Sequence, residues 1–184
     1  MVDTGFIACR WRHLDAMADI RTETQRMHEK MQPEHFPSFG EHTAGEHTAT
    51  RNRMSLEIGP YLLRLPLLPR SRIAFGIESG GALKAYALCR IGAMAVRPGM
   101  PRLRQCALDD IAVHPDHRRR GYGLRLLRAV REEMARRGII RLTAEVWGWN
   151  EASAALFTRA GFLPQCTSYA LDDAAETPPA RVSA

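Results

Sequence analysis

At 184 residues with 45% hydrophobic side chains, the chain has the size of one ordinary domain with a core of its own, which excludes a two-domain enzyme. A formal charge of +6 favours an anionic partner, but the arginines gather in a few runs, so a local anion site is as good a reading as nucleic acid. No run approaches the roughly 18 to 20 apolar residues of a membrane span, Met1 to Arg12 lacks the organisation of a signal peptide, and the four scattered cysteines make neither a C-x-x-C pair nor a disulfide framework, so a cytoplasmic protein without a structural metal is expected.

From the N-terminus, Phe6 to Trp11 reads as a short strand. Met17, Ile20, Met27 and Met31 then recur at helical spacing, which predicts an amphipathic helix over Asp15 to Met31, closed by Pro33. Residues 33–50 carry Gly-Glu-His-Thr-Ala twice in tandem amid Pro, Gly, Ser and Thr, and are expected to form an exposed, mobile loop. The repeat sets His42 and His47 beside Glu41 and Glu46, with His35 not far away. Ligands five apart do not share a helix face and no H-E-x-x-H order is present, so solvated histidines are a better reading than a metal site.

Pro60 to Leu68 is leucine-rich but broken by Pro66, which predicts a short helix. Ile73 to Glu78 and Leu83 to Ile91 read as a hairpin around Ser79-Gly80-Gly81. Cys106 to Val113 is a further strand that runs into three arginines. Over Gly121 to Arg137, Gly123, Leu127, Val130 and Met134 trace one stripe while Arg125, Arg128, Glu132 and Arg136 keep to the wet side; this is the clearest helix in the chain, ended by Gly138. Ile140, Leu142, Ala144 and Val146 alternate with Arg141, Thr143, Glu145 and Trp147, the period of a strand. Asn150 caps a helix that ends at Gly161, and Phe162 to Leu171 reads as a last strand. Residues 1–171 are thus expected to form a single domain, with 172–184 a disordered tail. The fold class is mixed α/β: a twisted, mostly antiparallel sheet of six or seven strands, about four helices, and one parallel pair flanking the Gly121 helix.

A strand, a glycine turn and a helix in that order suit phosphate, because free backbone N–H groups and the positive end of the helix dipole converge where glycine allows close approach. Gly121 and Gly123 supply that access. Arg118, Arg119 and Arg120 add charge better matched to a diphosphate than to one carboxylate. The spacing is neither that of a P-loop nor that of a G-x-G-x-x-G turn.

Asp110-Ile111-Ala112-Val113-His114-Pro115 followed by Arg118-x-x-Gly121-x-Gly123 resembles the acetyl-CoA signature of the GCN5-related N-acetyltransferases (GNAT). Asn150, Leu156, Gly161 and Phe162, with Ser153 at an alanine position, resemble that family's second block, so the likeness covers Cys106 to Tyr169. It implies a GNAT-like fold, acetyl-CoA as co-substrate, an amine acceptor and no metal. It also implies a splayed strand at Ile111, Ala112 and Val113, with backbone groups of Ile111 and Val113 on the pantetheine arm. The pyrophosphate would lie on Arg118, Arg119, Arg120, Gly121, Tyr122, Gly123 and Leu124, and Asn150 and Phe157 would flank the pantetheine or the thioester. Phe157 stands where many members carry a tyrosine general acid, so either Tyr169 or water takes that role, or the thiolate leaves unaided.

An amine is protonated near neutral pH, so its attack on a thioester needs a base. Glu145 matches a glutamate used by protein N-terminal acetyltransferases of this family; its structural alternative is a strand carboxylate paired with Arg141. Asp109 shares strand parity with Ile111 and Val113 and is the next candidate, Asp110 points to the other face, and a water relay would also serve. The predicted function is transfer of acetyl from acetyl-CoA to a primary amine of a small molecule or peptide, by a monomer or homodimer with no nucleic-acid or membrane partner. A catalytically silent acyl-CoA-binding or sensing domain is the alternative, motivated by Phe157.

Overall fold

The computed structural model describes residues 5–36, 44–62, 71–95, 99 and 101–170. Its elements in chain order are β1 (Phe6–Ala8), α1 (Leu14–Met31), α2 (Ala44–Leu62), β2 (Ser71–Ser79), β3 (Ala82–Met94), β4 (Leu103–Val113), α3 (Tyr122–Arg136), β5 (Leu142–Ala144) and α4 (Glu151–Arg159). The sheet order is β1-β2-β3-β4-β5, antiparallel throughout except for the β4–β5 pair. That parallel pair brackets α3, as expected from a strand–helix–strand crossover.

Both faces of the sheet are covered, so β3 is buried almost continuously rather than in alternation. On one face Ala87, Cys89 and Ile91 meet Leu126, Leu127, Val130 and Met134 of α3 and Phe157 of α4. Each of these α3 side chains contributes roughly 1.5–3 kcal/mol by burial, which is why the stripe read from the sequence places this helix so firmly. On the other face Tyr86, Leu88 and Ala112 join Met17 and Ile20 of α1 and Ile58 and Leu62 of α2.

Two sequence expectations are overturned. The segment 33–50 is not a loop throughout, because α2 begins at Ala44 and runs through the second copy of the repeat to Leu62, with Pro60 in its last turn. Ile58 and Leu62 are buried against α1 and the sheet, and a helix anchored at one end propagates at little further cost into residues of weak propensity. The last strand does not form either. Phe162 to Ala170 has no sheet pairing and, apart from Phe162, is exposed. β5 is only three residues long and Pro164 lacks an N–H, so neither edge nor segment offers a continuous ladder. The sheet therefore has five strands among the described residues, within the mixed α/β class expected. Residues 37–43, most of the leucine-rich 60–68 segment and the 172–184 tail lie outside the described residues.

Candidate active site

β4 pairs with β3 along its length, but with β5 only through Cys106, Ala107 and Leu108. The β3–β4 register passes from Cys89↔Leu108 to Leu88↔Asp110, which leaves Asp109 as the extra residue of a β-bulge. The His114 amide donates to the Lys84 carbonyl on β3 at 2.9 Å. By alternation, Ile111 and Val113 turn their N–H and C=O groups to the opposite side, where β5 has already ended. β4 thus presents an open polar edge at the two positions the resemblance picks out. Arg118 Nε donates to the Val113 carbonyl there at 3.2 Å. Ala112, by contrast, turns its backbone to β3 and buries its side chain on the α1 and α2 face, away from that edge.

Beyond β4 the chain enters a turn with two left-handed residues, Arg119 at φ 62° and Gly121 at φ 79°. An arginine in this region is uncommon and marks a constrained turn. Among the described residues, none of the amides from Arg119 to Leu124 donates to a backbone carbonyl or a capping side chain; the first helical donor is Arg125, to Gly121 at 3.0 Å. The positive end of the 15-residue α3 is therefore uncapped and lined with free donors. A Cβ on Gly121 would meet nothing within 4 Å, so the approach is open. A Cβ on Gly123 would lie 3.1 Å from Leu156 Cδ2 and 3.6 Å from Val113 Cγ2, so this glycine lets α3 seat against α4 and β4. Arg118, Arg119 and Arg120 are exposed around the same point. Tyr122 and Leu124 are half-buried; the Tyr122 ring carries the Arg125 guanidinium 5.4 Å from its centroid, a packing role.

The catalytic candidates fare differently. Glu145 is exposed just past the end of β5 and has no hydrogen bond or ion pair among the described residues. Arg141 does not hold it: its Nε donates instead to Gln105 Oε1 at 3.1 Å. Asp109 departs from the parity expected of it. The bulge turns its carboxylate to the α1 and α2 face, where Tyr61 Oη donates at 2.7 Å and Arg90 Nη2 at 2.8 Å. Both carboxylate oxygens thus already have a partner, Oδ2 in Tyr61 and Oδ1 in Arg90. The bond to Asp109 is the main reason the Arg90 pKa is raised, and the charge of Glu145 adds to it. Tyr169 is 92% exposed and is not built into the site. Phe157 is buried, its ring 5.0 Å from that of Phe162, and serves the core. Asn150 Oδ1 accepts from the Ser153 amide at 3.1 Å as the cap of α4, which leaves its side-chain N–H groups to donate.

Sequence reasoning missed the polar network beside the bulge. Asp110 Oδ2 accepts from Tyr86 Oη at 2.6 Å and from Arg21 Nη1 at 2.5 Å, and Arg21 Nη2 reaches Glu57 Oε2 at 2.8 Å. A cavity of about 320 Å³ opens here, lined by Arg21, Glu57, Tyr61, Arg72, Leu88 and Asp109 among others. No motif marks Arg21, Tyr61 or Arg90, which are isolated polar residues brought together only when α1 and α2 dock on the sheet. Among the described residues no cluster of three His, Cys, Asp or Glu could hold a metal, and no helix is long and apolar enough to cross a membrane.

Known proteins agree with this architecture. Over 88 residues the chain is 32% identical to the [ribosomal protein bS18]-alanine N-acetyltransferase of Escherichia coli strain K12, a match covering 48% of this chain and 53% of that one. The chain thus spans about half the length of the curated relatives it matches. Among solved structures, a mutant of the BH1408 protein of Bacillus halodurans superposes with a TM-score of 0.71 at 15% identity, covering 91% of this chain and 98% of that one. The aminoglycoside N-acetyltransferase AAC(6')-Iy in complex with CoA superposes at 0.57 with 16% identity, covering 91% and 98%. These last two share the fold. A sequence model of the acetyltransferase (GNAT) family matches residues 24–162, and the chain belongs to that family.

Proposed function

We propose that the protein transfers the acetyl group of acetyl-CoA to a primary amine. The observation that carries this reading is the pairing of two backbone surfaces that carry no secondary-structure partner. One is the run of free amides from Arg119 to Leu124 at the uncapped end of α3; the other is the open edge of β4 at Ile111 and Val113. A pyrophosphate fits the first, where the helix dipole and three guanidinium groups add to the amides, and an extended amide-bearing arm fits the second. Acetyl-CoA supplies an activated thioester.

The residues of the chain then orient, exclude water and move a proton. Val113 and Ile111 fix the arm, Asn150 offers a donor from the start of α4, and Glu145 is the carboxylate with no competing partner near the end of β5. Glu145 accepts the proton of the attacking amine, directly or through one water. Asp109 is assigned a positioning role: with Tyr61 and Arg90 it pins the bulge that opens the β4 edge. Holding the amine and the thioester in line accounts for much of the remaining acceleration.

The test is release of free thiol from acetyl-CoA with a panel of amines, peptides and aminoglycosides, alongside calorimetric CoA binding. Amine-dependent thiol release supports the reading. Binding without release by any amine would favour the second reading, a silent acyl-CoA-binding domain. That reading is motivated by Phe157, which has no proton to give, and by the exposure of Tyr169, so neither position supplies a placed donor to the thiolate.

A further inference from the structure

The end of α1 and the segment after β5 meet through aromatic rings. Trp149 stands edge-on to His28 with centroids 5.1 Å apart, and His28 stands edge-on to Phe36 at 4.8 Å. Phe36 in turn meets Trp147 at 5.5 Å, and His35 meets Trp147 at 5.5 Å. Because β4–β5 pairing stops at Leu108 and Ala144, the stretch from Glu145 to Trp149 leaves the sheet where the β4 edge becomes open. The rings therefore bridge that opening to α1, on the side opposite the arginine turn.

Three features are not accounted for by core packing. Trp147 is 41% exposed although its ring meets those of His35 and Phe36. The Trp149 Nε1 donor is buried and has no acceptor among the described residues, although a buried indole N–H ordinarily finds one. On the last turn of α1, one side-chain oxygen each of Glu29 and Gln32 is likewise buried and unpartnered. The exposed ionisable side chains around the rings are of both signs, Glu34 and Glu145 beside Lys30 and His35, whereas the turn before α3 carries Arg118, Arg119 and Arg120. Burial lowers the pKa of His28, followed by a smaller opposing effect of Asp110, so the imidazole is neutral near pH 7 and does not repel a cation.

We propose that Trp147, Trp149 and Phe36 form an acceptor subsite that holds a second cationic group of the amine substrate, beyond the amine that reacts. An ammonium or guanidinium against the exposed part of the Trp147 indole is attracted by the ring quadrupole. Trp149 Nε1 then donates to a hydroxyl or carbonyl oxygen of the same molecule. The substrate class is an oxygen-bearing di- or polycationic amine. Its kinetic consequence rests on the acetyl-transfer reading above, but binding at the subsite does not.

The experiment compares 1,5-diaminopentane with pentylamine, which differ only in the distal ammonium, by calorimetry on the protein saturated with CoA. The diamine is expected to bind about five- to thirty-fold more tightly, the range a cation on an indole supplies. In Trp147→Leu that ratio is expected to fall to within about two-fold, while Trp147→Phe, which keeps a ring face, retains most of it. Phe36→Leu gives a second test should Trp147→Leu fail to fold. Equal affinities in the wild-type protein, or an undiminished ratio in Trp147→Leu, would overturn the subsite. Thiol release with the same two amines separates the readings: a diamine preference in binding with no release from either amine supports the subsite and counts against acetyl transfer.

Discussion

The Tyr86 hydroxyl, from a ring with no exposed surface, donates to Asp110 at 2.6 Å, so one buried phenol depends on one strand carboxylate. Burial first, and the Asp110 charge second, push the Tyr86 pKa well up, so it serves as a donor only. Asp110→Ala would leave that hydroxyl without an acceptor and Arg21 with Glu57 alone. We expect a loss of about 2–4 kcal/mol in urea unfolding, against about 1 kcal/mol for Tyr86→Phe. Equal losses would show that the hydroxyl is satisfied in some other way.

Glu145 and Asp109 lie near the same end of the β4–β5 pair, but only Asp109 is engaged. Glu145→Gln should lower kcat/KM by about 100-fold or more near neutral pH, because the amine then has no carboxylate to take its proton. Asp109→Asn should act mainly by raising the KM for acetyl-CoA through a loosened bulge. A kcat/KM of Glu145→Gln equal to that of wild type removes Glu145 from the mechanism.

His28 is half-buried and its pKa is lowered below the ordinary 6.5, chiefly by desolvation. The unfolded chain then takes up the proton more readily than the folded one, so stability falls as pH drops below about 6.5 and the loss is complete below the folded value. His13 and His117, also lowered with desolvation as the first cause, act with the same sign. His28→Gln should therefore reduce the slope of stability against pH in this window without abolishing it. A slope equal to that of wild type in chemical denaturation at stepped pH would contradict this.

The arginine turn, α3 and the capped α4 were legible because each carries a local rule: glycines at fixed offsets, a 3.6-residue stripe, an Asn at the N-cap. The β4 bulge was not legible. Strand parity assigns Asp109 to the face of Ile111 and Val113, and only the pairing with β3 shows the inserted residue that turns it to the other face. The start of α2 was hidden because Gly-Glu-His-Thr-Ala favours no helix by itself, and its order comes from Ile58 and Leu62 docking elsewhere. The strand expected over Phe162 to Leu171 had the apolar content but no neighbour to pair with. Tyr169, a candidate acid because Phe157 cannot donate a proton, lies in that unpaired segment and is exposed.

The central claim is that the free amides from Arg119 to Leu124 cradle a pyrophosphate, and Gly121→Asp tests it most directly. The substitution sets a carboxylate into the open approach at a position with φ 79°, where a side chain is strained by roughly 1–2 kcal/mol but meets no neighbour. Calorimetric titration of acetyl-CoA into the folded variant is predicted to show at least a hundred-fold weaker affinity than wild type. An unchanged affinity would contradict the account.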